Sequence, residues 1–198
     1  MIETGRAATV ERRTRETDVR ARLVLDGTGA TDVATGVGFF DHLLSSLAHH
    51  GLFDLELSVT GDLHVDEHHT VEDASLALGQ ALADALGDRA GIVRFGDASV
   101  PMDESLATAV VDVGGRPYAV VDLPFRGERI GSLPSQLVEH ALEAFARTAG
   151  TTLHVRGTGR NDHHLAEAAF KAHGRALRQA CETDPRREGP ASTKGTLG

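Results

Sequence analysis

The dipeptide His68-His69, followed by Glu72, recurs as His163-His164, followed by Glu167. Each copy opens a run whose apolar residues fall at helical spacing: Ala74, Leu78, Ala81 and Leu82 after the first, Phe170, Ala172, Ala176 and Leu177 after the second. The spacing therefore predicts both dyads in first turns of helices. On such a turn the glutamate lies four residues beyond one imidazole and three beyond the other. Both rings can reach it, while adjacent imidazoles diverge by roughly 100°. One turn could thus feed two metal ions, and nitrogen plus carboxylate donors suit Mn, Fe, Co, Ni or Zn.

Upstream, Asp41-His42 precedes the first dyad and Glu139-His140 the second, by 26 residues (42 to 68) and 23 (140 to 163). The set His42, His68, His69, Glu72, His140, His163, His164 and Glu167 offers six imidazoles and two carboxylates, enough for two centres of three nitrogens and one oxygen. A lone dyad is read equally well as a surface helix with titrating histidines. Recurrence of imidazole with carboxylate at matched spacing favours ligation and indicates internal duplication. Eleven histidines against one tyrosine and no tryptophan point the same way. His49, His50, His64, His154 and His173 have no counterpart in the other half and are expected to be solvated or hydrogen-bonded. Asp162 is expected to cap its helix; Asp73 is read as a cap, a surface acid or a carboxylate orienting an imidazole.

The elements that must position these groups follow from the pattern. Residues 7–14 and 18–26 alternate as half-buried strands about a turn at 15–17, Phe39 to His50 reads as an amphipathic helix, and 52–60 reads as a strand. The dyad helix then runs to Leu86, where Gly87 stops it. The second half repeats the order, with strands near 92–100, 105–113 and 117–123, a helix over 134–149, a strand at 151–156 and the second dyad helix. The fold class is α+β: two tandem similar halves, about 5–90 and 91–185, each a small mostly antiparallel sheet packed with two helices. Together they form one catalytic domain, 1–198, ending in a polar tail, 186–198.

The formal charge of −9 argues against a nucleic-acid binder, whose phosphate contacts need clustered cations. Cys181 is the single cysteine and cannot form an internal bridge. Neither a signal segment at the start nor a long apolar run is evident, so a cytoplasmic protein without membrane contact is expected. Gly114-Gly115-Arg116-Pro117 and Ser192-Thr193-Lys194-Gly195 resemble anion-gripping turns, although the second on its own reads as a solvated end. Glu16 and Lys171 are unremarkable alone, and Glu167 with Lys171 makes an ordinary i,i+4 pair.

The motifs Gly38-Phe39-Phe40-Asp41-His42, Asp66 to Asp73, Asn161 to Lys171, Pro101-Met102-Asp103-Glu104, Gly115-Arg116-Pro117 and Ser192 to Gly195 occur in one order along the chain. In that order they resemble the imidazoleglycerol-phosphate dehydratase family of histidine biosynthesis, from about Arg12 to Leu197. The resemblance implies a hydro-lyase that converts imidazoleglycerol phosphate to imidazole acetol phosphate. It implies two Mn2+ per active site, halves related to the second domain of ribosomal protein S5, and a homo-oligomer of 24 copies with active sites shared between subunits. It assigns the eight residues above as metal ligands. It gives Arg94, Arg116, Ser192 and Lys194 to the substrate phosphate, and Glu16, Asp103, Lys171 and Glu167 to the reacting chain. The sequence departs from the family's common pattern at Ser45-Ser46, where glutamine is frequent, and at Gly114, where serine is. Glu167 is the first candidate to move protons and Glu16 the second. The second dyad is expected to lead the reaction, because Lys171 follows Glu167 where Leu76 follows Glu72. Two other classes fit the metal motif alone: a dinuclear hydrolase, and structural or storage sites between subunits.

Overall fold

The structure, a computed structural model, describes residues 5–197. Residues 1–4 and 198, the ends of the expected 1–198 domain and tail, lie outside the described residues. Strands β1 (Ala7–Arg13), β2 (Thr17–Val24), β3 (Thr31–Ala34) and β4 (Asp54–Gly61) form a sheet of order β1-β2-β4-β3, with helices α1 (Gly38–Gly51) and α2 (His68–Leu86). Strands β5 (Phe95–Met102), β6 (Ser105–Asp112), β7 (Tyr118–Asp122) and β10 (Thr152–Thr158) form the second sheet, β5-β6-β10-β7, with α3 (Gln136–Ala149) and α4 (Asp162–Cys181). In both sheets the last-named strand pairs parallel and the others antiparallel. The duplication expected from spacing is therefore a repeat of strand order as well.

Period-two patterning explains the strands. Val19, Ala21 and Leu23 of β2 are buried while Asp18 and Arg20 face water, and β6 alternates likewise with Ala107, Ala109 and Val111 inward. Sequence reading missed β3, whose four residues carry one partly buried apolar side chain, and the two-residue strands β8 (Arg129–Ile130) and β9 (Leu133–Pro134). It also placed the first turn one residue late. Thr17 is the buried first residue of β2, and its hydroxyl donates to Asp73.

Asp73 turns out to be 6 % exposed and to accept from Arg12 and Thr17, so it ties α2 to the β1–β2 hairpin rather than orienting an imidazole.

Each half lays its helices on its own sheet, and the two helix layers then meet crosswise: α1 packs on α4 and α2 on α3. Close approach depends on two glycines at matched positions. Gly79 stands ten residues after His69, and a Cβ there would collide with Thr148 and the Phe145 carbonyl; Gly174 stands ten after His164, and a Cβ there would collide with the Leu47 backbone. The crossing makes one continuous core of Phe40, Leu43, Leu78, Leu82, Leu142, Phe170 and their neighbours. No helix among the described residues is long and apolar enough to cross a membrane.

Candidate metal centres and anion cleft

Crossing the helices decides which residues meet. His42 of α1 comes to His163 and Glu167 of α4, and His140 of α3 comes to His68 and Glu72 of α2, so each cluster combines a lone histidine of one half with the dyad of the other. In the first cluster Glu167 Oε2 lies 2.9 Å from His42 Nε2 and 3.1 Å from His163 Nε2. In the second, Glu72 lies 3.9 Å from His68 Nε2 and 3.7 Å from His140 Nε2. Donor atoms within each cluster all lie within 4.8 Å of one another. Bonds of about 2.1 Å to a divalent ion leave neighbouring donors about 3 Å apart, so both clusters are of ligating size. His140 Nε2 is buried without a hydrogen-bond partner, an atom that a cation would satisfy.

The glutamates are each held by a cation. Lys171 Nζ is 2.7 Å from Glu167 Oε1, and Arg147 of α3 is 2.9 Å from Glu72 Oε1. The first copy thus does not lack a positive partner, as Leu76 suggested; α3 supplies it from another helix. Burial pushes the Glu167 carboxyl up, but hydrogen bonds from His42 and Lys171 outweigh it and hold the group at about 2. It is a carboxylate at any physiological pH.

The remaining histidine of each dyad turns away. The ring planes of His68 and His69 stand at 88° and those of His163 and His164 at 90°. His69 Nδ1 meets Asp62 at 3.0 Å with Glu16 at 3.8 Å, and His164 Nδ1 meets Glu104 at 3.0 Å with Asp103 at 3.8 Å. The hydrogen bond that His69 donates to Asp62 holds the ring above its ordinary pKa. Glu104 lies far below the carboxylate range through His164 and the N–H groups of Arg160 and Asn161. A carboxylate on Nδ1 fixes the ring and leaves Nε2 for another ligand. Sequence reading missed Asp62, Glu104 and Arg147; the position of Glu104 beside a strand turn, like Glu16 in the other half, was the available signal.

Capping also differs from expectation. Asn161, with φ −106 and ψ 113, is the N-cap of α4 and accepts from the His163 and His164 N–H groups. An N-cap needs a non-helical backbone, and Asp162 is already inside the helix. Its carboxylate accepts instead from the N–H groups of Arg126 (3.1 Å) and Gly127 (2.7 Å). His173 departs too: it is fully buried with neither ring nitrogen bonded to protein, and burial lowers it to about 3.

Arg94, Arg116, Ser192 and Lys194, remote in sequence, line one cleft of about 360 Å³ together with Gly114. Asp112 orients Arg94 through bonds of 2.7 and 2.9 Å, and Arg94 Nη1 donates to the Ala191 carbonyl at 2.6 Å. The tail is tied down by Gly91 N–H to Gly189 and by the Ala90–Pro190 bridge. Three side-chain cations around the cleft make a candidate site for a dianion.

This cleft is far from the clusters of its own chain. The Arg94 N–H bonds Ala180 in the last turn of α4, which at 1.5 Å per residue lies about 25 Å from His163. Gly115, beside Arg116, bonds Gly150 at the end of α3, about 15 Å from His140.

Residues 35–177 match the family model described as imidazoleglycerol-phosphate dehydratase. The protein of that name from Gluconacetobacter diazotrophicus is 54% identical over 198 residues, 99% of this chain and 100% of the relative. That from Methanococcoides burtonii is 52% identical over 192 residues, covering 97% and 100%. Among solved structures, imidazoleglycerol-phosphate dehydratase of Staphylococcus aureus superposes with a TM-score of 0.81 at 33% identity, over 90% of this chain and 99% of that one. The Pyrococcus furiosus protein, in complex with (S)-C348, gives 0.83 at 33% identity over 95% and 100%.

Proposed function

The chain belongs to the imidazoleglycerol-phosphate dehydratase family, and on that footing we propose how its residues carry the dehydration. The activity is that of a hydro-lyase of histidine biosynthesis, removing water from imidazoleglycerol phosphate to give imidazole acetol phosphate. In this reading His42, His163 and Glu167 hold one divalent ion, and His68, Glu72 and His140 hold the other, with Mn2+ as the ion in each. Bound there, the ions supply Lewis acidity toward the imidazole ring and the departing hydroxyl.

The separation of cleft and clusters carries the rest. About five bonds of roughly 1.5 Å join the imidazole ring to phosphorus, so the substrate spans less than about 10 Å. The roughly 25 Å to the His163 cluster within one chain exceeds that span. A site that grips ring and phosphate together takes them from different copies. His69 and His164, outside both clusters and with Nδ1 held by carboxylates, are the residues that reach a neighbour's ion. This supports a homo-oligomer with shared active sites, the 24-copy assembly being its expected form. The 1–198 chain then works as one catalytic domain of two halves, about 5–90 and 91–185, with 186–198 supplying the substrate-binding tail. A cytoplasmic location suits such a biosynthetic enzyme.

Arg94, Arg116, Ser192 and Lys194 bind and orient the phosphate. Glu167, with Lys171 2.7 Å from its second oxygen, is the first group to exchange a proton with the reacting carbons. Glu16 and Asp103 are further carboxylates beside His69 and His164. A storage role would have no use for the cleft around Lys194. Purified protein incubated with Mn2+ and imidazoleglycerol phosphate should yield an enolisable ketone detectable in alkali. Release of inorganic phosphate instead, or no product from metal-loaded protein, would overturn the proposal.

A further inference from the structure

The duplication is broken most at the connection before the third helix. Residues 35–37 alone join β3 to α1, but residues 123–135 separate β7 from α3 and fold back on themselves as the β8–β9 hairpin. Ile130 and Leu133 are buried beneath it. This insertion touches the beginnings of all four helices. Arg126 and Gly127 give their N–H groups to Asp162, the first residue of α4. Arg129 pairs with Glu67, immediately before α2, and also donates to the Ser132 carbonyl, which closes the hairpin. Gly131, with φ +59, lies against Phe39 of α1: a Cβ there would stand 3.8 Å from Phe39 Cβ. The Phe39 ring in turn lies 4.8 Å from that of His163. Ser135 donates its hydroxyl to Gly127 and its N–H to Glu128, which fixes where α3 starts.

Those four helix starts carry His42, His68, His140 and His163. Ligand atoms must hold position to about 0.2 Å, whereas helix ends fray by a residue or two. Some restraint must tie the starts to one another. We infer that residues 123–135 form a positioning strap, in which Asp162 and Arg129 set the relation between the two dyad helices and hence between the clusters. Neither residue is a member of either cluster. The strap also accounts for the displaced cap: with Asn161 capping α4, the Asp162 carboxylate is free to hold the strap's backbone. The inference rests on the clusters binding metal as proposed above.

The test compares Arg129→Met and Asp162→Ala with wild type, measuring Mn2+ uptake by electron paramagnetic resonance, kcat and KM for imidazoleglycerol phosphate, and amide exchange over 162–167. Both variants should bind Mn2+ about tenfold more weakly and lose kcat about tenfold or more. KM should stay within about twofold, since the phosphate cleft lies elsewhere. Exchange of the first turn of α4 should quicken. Asp162→Asn, which keeps an acceptor oxygen, should recover most of the loss, and Glu67→Arg combined with Arg129→Glu should bind Mn2+ better than either single change. Where Asp162→Ala fails to fold, Arg129→Met decides. Unaltered Mn2+ uptake and kcat in folded Arg129→Met, and in Asp162→Ala where it folds, would overturn this inference alone. A wild-type chain that takes up no Mn2+ would overturn it together with the metal reading.

Discussion

Replacing His173 by leucine should make the protein more tolerant of acid without loss at neutral pH. His173 lies between the helix layers against Leu44, Leu78, Leu142 and Phe170, edge-on to Phe145 at 5.1 Å. The adjoining cavity of about 10 Å³ is at the lower limit for one water. The residue at the matched position of α2 is Leu78, nine after His69 as His173 is nine after His164. The folded pKa, about 3, is depressed from 6.5 by burial. Below 6.5 the unfolded chain therefore binds a proton that the folded chain refuses, so stability present above that pH is lost progressively as pH falls toward 3. At 1.4 kcal/mol per pH unit, the loss between pH 6.5 and 5 is about 2 kcal/mol. Leucine has nearly the volume of histidine and leaves no ring nitrogen unpaired, so at pH 7 the change should be neutral or stabilising by about 1 kcal/mol. Urea unfolding of both proteins at pH 7 and pH 5, at one protein concentration and metal load, isolates the effect, because the other ten histidines are common to both. Equal acid losses in the two proteins, or destabilisation of the variant at pH 7 by more than about 1 kcal/mol, would refute the reasoning.

Glu167→Gln should keep the fold and most of the metal yet lower kcat by several orders of magnitude; metal analysis beside steady-state rates reads this, and near-normal turnover in a loaded variant contradicts it. Lys194→Ala should raise KM by about tenfold or more through loss of a charge-assisted phosphate bond while leaving metal content unchanged, as substrate titration would report. Gly174→Ala, forced against the Leu47 backbone, should cost about 1–3 kcal/mol or prevent folding, measured by thermal melting against the surface change Gly5→Ala. On the proposal that His69 and His164 reach ions of neighbouring copies, removal of metal by EDTA and dialysis should reduce particle size as well as stop turnover; sizing chromatography shows an intact large particle if that account is wrong.

How much was legible follows from what kind of information each element carries. The dyad helices were readable because their apolar residues repeat every three or four positions and Gly87 marks a stop. The candidate histidine and glutamate donors were readable because duplication wrote them twice. β3 and the β8–β9 hairpin were not, since a strand of four residues with one partly buried side chain, or of two, leaves no period to detect. Asp162 was misjudged because capping depends on one residue's backbone angles, which here make Asn161 the cap.

The sequence by itself determined which histidines and glutamates recur, the repeat and the family resemblance, all of which are properties of residue type and spacing. Only the tertiary structure decided the pairing. Glycine-permitted crossing of α1 on α4 and α2 on α3 sends His42 to the second dyad and His140 to the first, an exchange that no local spacing encodes. It likewise decided that the cleft around Arg94 and Lys194 lies at the far ends of the helices that carry the clusters. The physical reason is that ligation and anion binding depend on distances of a few ångströms between residues many positions apart, and those distances are set by helix packing.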